Sequence, residues 1–279
     1  AKDMDALPEE ETLELIEAVK LEPDSNQNIT TPSAVPGSAS EVVAVTQKIS
    51  LPVQLTPFIG RQAEQTRIAE QLTNPACRLL TLLAPGGFGK TRLALAAAET
   101  QQDSYENGAN FVALADTTTI EQMLYAIADA LNPALISASN LMDNLKAYLA
   151  DKDVLLVLDN LEQLSVDHVG ADLSILSDLL AAAPGVRILA TSRARLNLQS
   201  EWLMDVSGLN YPSQDDDSPE VFDAVKLFCQ TAQRLDARFS LQGDVVRHVT
   251  DICQLVEGMP LALELAASWF QVLSLAEIK

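Results

Sequence analysis

The chain has 279 residues, 48% of them hydrophobic, and a formal net charge of −21 at pH 7. That length and apolar content suit one large domain, or a core domain with a smaller satellite, built around a sizeable core. The acidity repels phosphate backbones and argues against direct DNA or RNA binding by this segment, and no apolar run is long enough to span a bilayer.

Residues 1–22 contain one short amphipathic helix, about residues 9–20, with Leu13, Ile16 and Val19 at helical spacing. A helix of that length is marginal alone, so it is expected to belong to an upstream domain. Residues 23–55 are rich in Asn, Gln, Thr, Ser and Pro without a period, which reads as a linker. A nucleotide-binding domain is expected over 56–209 and a helical lid domain over 210–279.

The core opens at Thr56-Pro57-Phe58-Ile59-Gly60-Arg61, followed by a helix to about residue 72. Strands are expected near 78–83, 110–114, 154–158 and 187–191. Helices are expected between them, near 90–100, 119–131, 140–150 and 171–182. Strands alternating with helices give an α/β fold with a parallel sheet covered on both faces. Beyond Leu209 an acidic loop, Asp215-Asp216-Asp217 through Asp223, reads as solvated surface. Helices are expected after it at 219–235, 244–256 and 261–272.

The first strand runs straight into Ala84-Pro85-Gly86-Gly87-Phe88-Gly89-Lys90-Thr91-Arg92. This is a P-loop: glycine-rich backbone aimed at an anion from a helix N-terminus, with Lys90 for the β/γ-phosphates and the Thr91 hydroxyl for magnesium. The motif asks for glycine where Ala84 stands. Pro85 pushes its predecessor into extended backbone, where alanine is comfortable. Gly86, Gly87 and Gly89 are expected where positive φ or close phosphate approach is needed. The class of fold expected is therefore a P-loop NTPase followed by a small helical domain.

Ligands of open parallel sheets sit outside the carboxyl ends of the strands. The apolar run Val154–Leu158 ends in Asp159, a carboxylate suited to a magnesium site beside Thr91. The next strand ends in Thr191-Ser192-Arg193, so Arg193 is either a γ-phosphate clamp or a surface arginine in a turn. Asn160 stands where many related ATPases carry a second acid. Glu162 is then either the group that polarises water or an exposed glutamate at a helix start. The catalytic candidates are Lys90, Asp159, Glu162 and Arg193; the metal candidates are Thr91 and Asp159. His168 and His248 are isolated, no Asn-Lys-x-Asp segment marks a GTPase, and Trp202 and Trp269 read as core or lid packing. Three odd, dispersed cysteines, Cys77, Cys229 and Cys253, read as buried thiols of a reducing compartment, and a cytoplasmic location is expected.

Taken together, Phe58-Ile59-Gly60-Arg61, Ala84–Thr91, Val154–Asp159 with Asn160 and Glu162, Thr191-Ser192-Arg193 and Gly258-Met259-Pro260-Leu261 give residues 55–275 a resemblance. The segment resembles the STAND class of P-loop ATPases, the signal-transducing relatives of the NB-ARC domain found in bacterial multidomain regulators. The resemblance implies that Ile59, Gly60 and Arg61 lie against adenine. It also implies that Arg193 reads the γ-phosphate and that Pro260 reports from the lid whether ADP or ATP is bound. Pro85 through Arg92 would surround the phosphates. Such proteins rest with ADP and open, often self-associating, with ATP and Mg2+. The function expected is a nucleotide-governed regulatory switch with slow hydrolysis. The alternatives are a small-molecule kinase or other metabolic NTPase, and a scaffold without hydrolysis.

Overall fold

Residues 51–279 are described by the computed structural model, except 138–139, 165–171, 215, 271 and 279. The helix expected at 9–20, nearly all of the linker, Asp215 and His168 lie outside the described residues. The described residues belong to one compact unit.

Five strands make one parallel sheet in the order β2-β3-β4-β1-β5: β1 Leu79–Leu83, β2 Ala109–Ala113, β3 Val154–Asp159, β4 Val186–Ser192 and β5 Glu201–Asp205. The helices on its faces are α1 Gln62–Thr73, α2 Lys90–Gln101, α3 Ile120–Leu131, α4 Leu141–Leu149 and α5 Ser174–Ala182. Side chains alternate across a strand. In β3, Leu156 and Leu158 enter one apolar cluster with α3, α4 and α5. Leu155 and Val157 enter the other, with α1 and α2. A strand with a core on each side must be apolar throughout, which is why β3 reads as an unbroken hydrophobic run.

The sequence reading missed β5. It is short and lies at the sheet edge, and only Met204 among its residues is buried, so neither a run nor an alternation marks it. Trp202 is also part-exposed there, and Trp269 is more than half exposed on the lid, so neither is core packing.

Arg78 precedes β1 and closes the far end of the sheet. Its guanidinium donates to the carbonyls of Leu180, Ala183 and Val186, the first two at the C-terminal end of α5, where carbonyls lack helical partners. Arg78→Met is expected to lower unfolding free energy by about 2 kcal/mol, the scale of hydrogen bonds to a charged group. Urea titration by circular dichroism measures it.

The lid is built from α6 Asp223–Leu235, α7 Asp244–Leu255, α8 Pro260–Trp269 and α9 Leu275–Ile278. Its core holds Phe228, Phe239 and Phe270, with the last two rings edge to face at 5.3 Å. The helix expected from residue 219 begins only at Asp223, after a single turn Pro219–Val221, because Phe222 is extended. The Asp223 N–H is capped by Asn210 Oδ1 at 2.7 Å. Asp216 and Asp217 are exposed as expected, but Asp223 is not: its carboxylate presses against Gly60, where a Cβ would overlap it.

All three cysteines are free thiols, and Cys77 and Cys253 are fully buried. Burial pushes the Cys77 and Cys229 thiols up to about 11 and Cys253 up to about 12. Thiolate is the reactive form. Labelling by a thiol reagent at pH 8 is therefore expected to await unfolding, read as little modification in buffer and complete modification in urea.

Candidate functional site

β1 delivers the chain to a turn at Ala84 and α2 takes it away at Lys90. Gly87 and Gly89 have φ of 85° and 77°, the left-handed region that side chains resist. Gly86 lies outside that region, and a Cβ there would meet Arg193 Nη2 only at 3.5 Å, so it needs no positive φ. Ala84 also avoids positive φ, and its methyl joins the core on the α1–α2 face. Alanine replaces glycine here because the position does not need positive φ and faces a core.

Five carbonyls of this turn, those of Ala84, Pro85, Gly87, Phe88 and Gly89, are each taken by a protein donor. Lys90 Nζ donates to Ala84 O and Pro85 O at 2.8 and 3.1 Å. The Leu261 N–H donates to Gly87 O at 3.1 Å, Arg61 Nη2 to Phe88 O at 2.8 Å, and the Leu93 N–H to Gly89 O at 3.0 Å. Among the described residues, no N–H from Gly86 to Lys90 has an acceptor. Backbone donors gathered at a helix N-terminus, with their carbonyls held elsewhere, make an anion cradle. Burial holds the Lys90 ammonium below the usual lysine range; Glu162 and Asp159 oppose that shift and Arg193 adds to it.

Strand order explains the rest. β4 lies between β1 and β3, so Thr191 at its end reaches both neighbours. Asp159 Oδ1 accepts from Thr91 Oγ1 at 2.7 Å and from Thr191 Oγ1 at 2.5 Å. The Asn160 N–H donates to Thr191 Oγ1 at 3.0 Å, and Asn160 has φ of 66°, a conformation asparagine tolerates better than most residues. Thr191 was given no role by sequence reasoning, although the Thr-Ser-Arg at a strand end held the signal. Thr191→Val is expected to weaken magnesium-dependent nucleotide binding about tenfold, the scale of a charge-assisted hydrogen bond, while Thr191→Ser retains it. Calorimetric titration with and without magnesium is the check.

Glu162 sits in the turn after β3 and is 2% exposed, so it is not the exposed helix-start glutamate. Its Oε1 pairs with Arg193 Nε at 3.0 Å and lies 3.4 Å from Asn160 Nδ2, while Oε2 is buried without a partner. Arg193 is 60% exposed.

From the lid, α8 begins at the loop itself. Pro260 Cγ would lie 3.7 Å from a Cβ on Gly89, and Leu261 and Met259 pack on Gly87. A cleft of about 280 Å3 results, lined by the glycines, Lys90, Thr91, Asn160, Glu162, Arg193 and the start of α8. Arg92 lines it too, but its Nη2 is spent on the carbonyls of Thr56 and Pro57, both at 2.9 Å, and its Nη1 lies 3.8 Å from Glu264.

The structure does not bring Ile59, Gly60 and Arg61 into this cleft. Ile59 packs against the lid core. Arg61 is buried, with φ of 62°, and its Nη2 links Phe88 O to Ser207 O at 2.8 and 2.9 Å. It borders a separate cavity of about 470 Å3 with Glu64, Asn210 and Asp223. Pro85 and Phe88 are not among the cleft's lining either; Phe88 packs against the α1–α2 core. Sequence reasoning also missed Leu261 and Glu264, whose signal was their place in the first turns of the helix opened by Pro260.

No three or more His, Cys, Asp or Glu side chains among the described residues cluster to hold a metal unaided. The donors that fit magnesium are the Thr91 hydroxyl and Asp159, a set that phosphate oxygens and water would complete.

A five-stranded parallel sheet with this glycine loop, Lys-Thr pair and strand-end aspartate defines the P-loop NTPase fold. Residues 74–196 match the family model described as "AAA domain". An uncharacterized protein of Mycobacterium tuberculosis is 33% identical over 224 residues, covering 80% of this chain and 53% of its own length. A second protein of that organism, named as a candidate HTH-type transcriptional regulator, is 32% identical over 201 residues, 72% of this chain and 21% of its own. The chain thus spans about half the length of the first relative and about a fifth of the second. Drosophila ORC, solved bound to DNA, superposes with a TM-score of 0.53 at 15% identity over 78% of this chain and 62% of its own, a likeness of fold alone. No helix among the described residues is long and apolar enough to cross a membrane.

Proposed function

We propose that this chain is an ATP/ADP-binding switch module with slow hydrolysis, the STAND-like centre of a larger cytoplasmic signalling or transcription-regulating protein. One observation carries the reading: the first turn of lid helix α8 hydrogen-bonds the phosphate loop, through Leu261 N–H and Gly87 O at 3.1 Å. Whatever occupies the loop therefore acts on the lid. The similarity to a much longer protein named as a candidate transcriptional regulator supports the larger setting.

In this reading the N–H groups of residues 86–90 and the Lys90 ammonium hold the β- and γ-phosphates. Thr91 and Asp159 hold magnesium, whose charge would neutralise part of the phosphate charge. Arg193 meets the γ-phosphate from the exposed side. Glu162, which lines the cleft and has an unpartnered Oε2, accepts a hydrogen bond from the attacking water. Asn160 sits where an acid would be stronger, and slow turnover follows. Pro260 and Leu261 report occupancy to the lid. Arg61 acts on the loop's backbone rather than on the base.

A nucleotide can switch a protein only if ATP and ADP favour different arrangements. Small-angle scattering is expected to differ between Mg-ATP and ADP, with self-association in ATP alone by sedimentation. Identical profiles in both nucleotides would contradict the switch.

A further inference from the structure

We infer that Glu162 sets the preference between ATP and ADP by competing with the γ-phosphate for Arg193, so that ATP binds only by breaking a part-buried ion pair. The inference rests on the nucleotide-site reading above and assigns its regulation.

Three observations converge. First, Arg193 Nε is held by Glu162 Oε1 at 3.0 Å, and the Nη groups have no hydrogen bond among the described residues. The guanidinium can therefore be drawn away by rotation of an exposed side chain. Second, it already lies at the loop, with Nη2 3.5 Å from the position of a Cβ on Gly86. Third, Glu162 is buried, and among the described residues its side chain is hydrogen-bonded, beyond the Arg193 pair, only by the weak Asn160 amide at 3.4 Å, with the Lys90 ammonium acting on it through charge alone.

A diphosphate leaves this pair intact, because it has no group to reach Arg193. A triphosphate brings a competing anion into the same cleft. Arg193 then serves the γ-phosphate, and Glu162 is left as a buried carboxylate without its paired guanidinium, beside new negative charge that also draws on Lys90. Removing the cation from a buried pair is costly. That cost falls on ATP and not on ADP, so the pair biases the protein toward ADP. The same exchange frees Glu162 Oε1 to join the orphaned Oε2 in receiving water. The carboxylate is thus released for hydrolysis only when there is a γ-phosphate to cleave.

The test is calorimetric titration of the parent chain, E162Q, R193Q and the double variant with Mg-ADP and with a magnesium-bound non-hydrolysable ATP analogue. E162Q is expected to tighten the analogue about fivefold and leave ADP within about twofold, the scale of a part-exposed ion pair. With R193Q already in place, the gain should fall below about twofold, because no pair remains to be broken. Simple charge repulsion predicts instead an equal gain in both backgrounds, and that result overturns the inference. So does an unchanged analogue-to-ADP ratio in E162Q. E162D, which keeps the charge but shortens the reach, gives an intermediate ratio and serves if E162Q does not fold. If neither nucleotide binds the parent chain, the site reading falls and this inference with it. If both bind and only the ratio is unmoved, this inference falls alone.

Discussion

Lys90→Ala is expected to abolish the stabilisation that ATP gives the protein. At a nucleotide concentration about 100 times Kd, the parent chain should gain about 2.7 kcal/mol, a rise in melting temperature of about 5–10 °C for a domain of this size. Lys90 supplies charge-assisted hydrogen bonds worth about 1.5–3 kcal/mol each, so its loss weakens affinity by about 100-fold and removes most of the shift. Without ligand the effect should be small. Among the described residues Lys90 donates to the Ala84 and Pro85 carbonyls alone, and Pro85 is exposed enough for water to replace the donor. Melting curves with and without Mg-ATP separate the two. An undiminished shift in the variant would remove the P-loop from the account.

Gly258→Ala is expected to be among the most disruptive single changes outside the sheet. Two backbone segments cross here without side chains between them: the Leu209 N–H donates to Gly258 O at 2.8 Å, and a Cβ on Gly258 would overlap the Leu209 carbonyl. Gly208 meets the Glu257 carbonyl in the same way. Gly258 also has φ of 66°, which strains any other residue. Strain and overlap each cost about 1–3 kcal/mol, so a combined loss of about 2–6 kcal/mol follows. The turn at 257–259 leads directly into Pro260 and Leu261, so displacement should detach the lid from Gly87. Hydrogen exchange across 257–263 should then rise and lose its response to nucleotide. A melting temperature within a degree of the parent would show that the close approach is not needed.

The phosphate loop was legible because its chemistry is local: an apolar strand, glycines, Lys-Thr and a helix follow one another without interruption. The strands of the sheet interior were legible for a related reason, since burial on both faces leaves few polar residues to break the run. β5 was not, because an edge strand needs no such run and its ends are acidic. Arg61 shows another limit. The family resemblance implied a ligand contact for it, but both its acceptors, Phe88 O and Ser207 O, are distant in sequence, and nothing local marks a side chain that joins them. Glu162 could be read two ways because its burial depends on Arg193, 31 residues later and on another strand end. The meeting of Leu261 with Gly87 was unreadable for the same reason. It depends on how the lid folds back, while the sequence shows only a proline opening a helix.

The central claim is that Lys90, the Thr91–Asp159 pair and Arg193 surround the phosphates of one nucleotide. A crystal structure with magnesium and a non-hydrolysable ATP analogue tests it most directly. The account predicts the β- and γ-phosphates on the amides of residues 86–90 and on Lys90, magnesium between Thr91 and Asp159, and Arg193 released from Glu162 onto the γ-phosphate. A nucleotide bound elsewhere, or phosphates in the cleft with Lys90 still on its own loop carbonyls and Thr91 and Asp159 turned away, would contradict it.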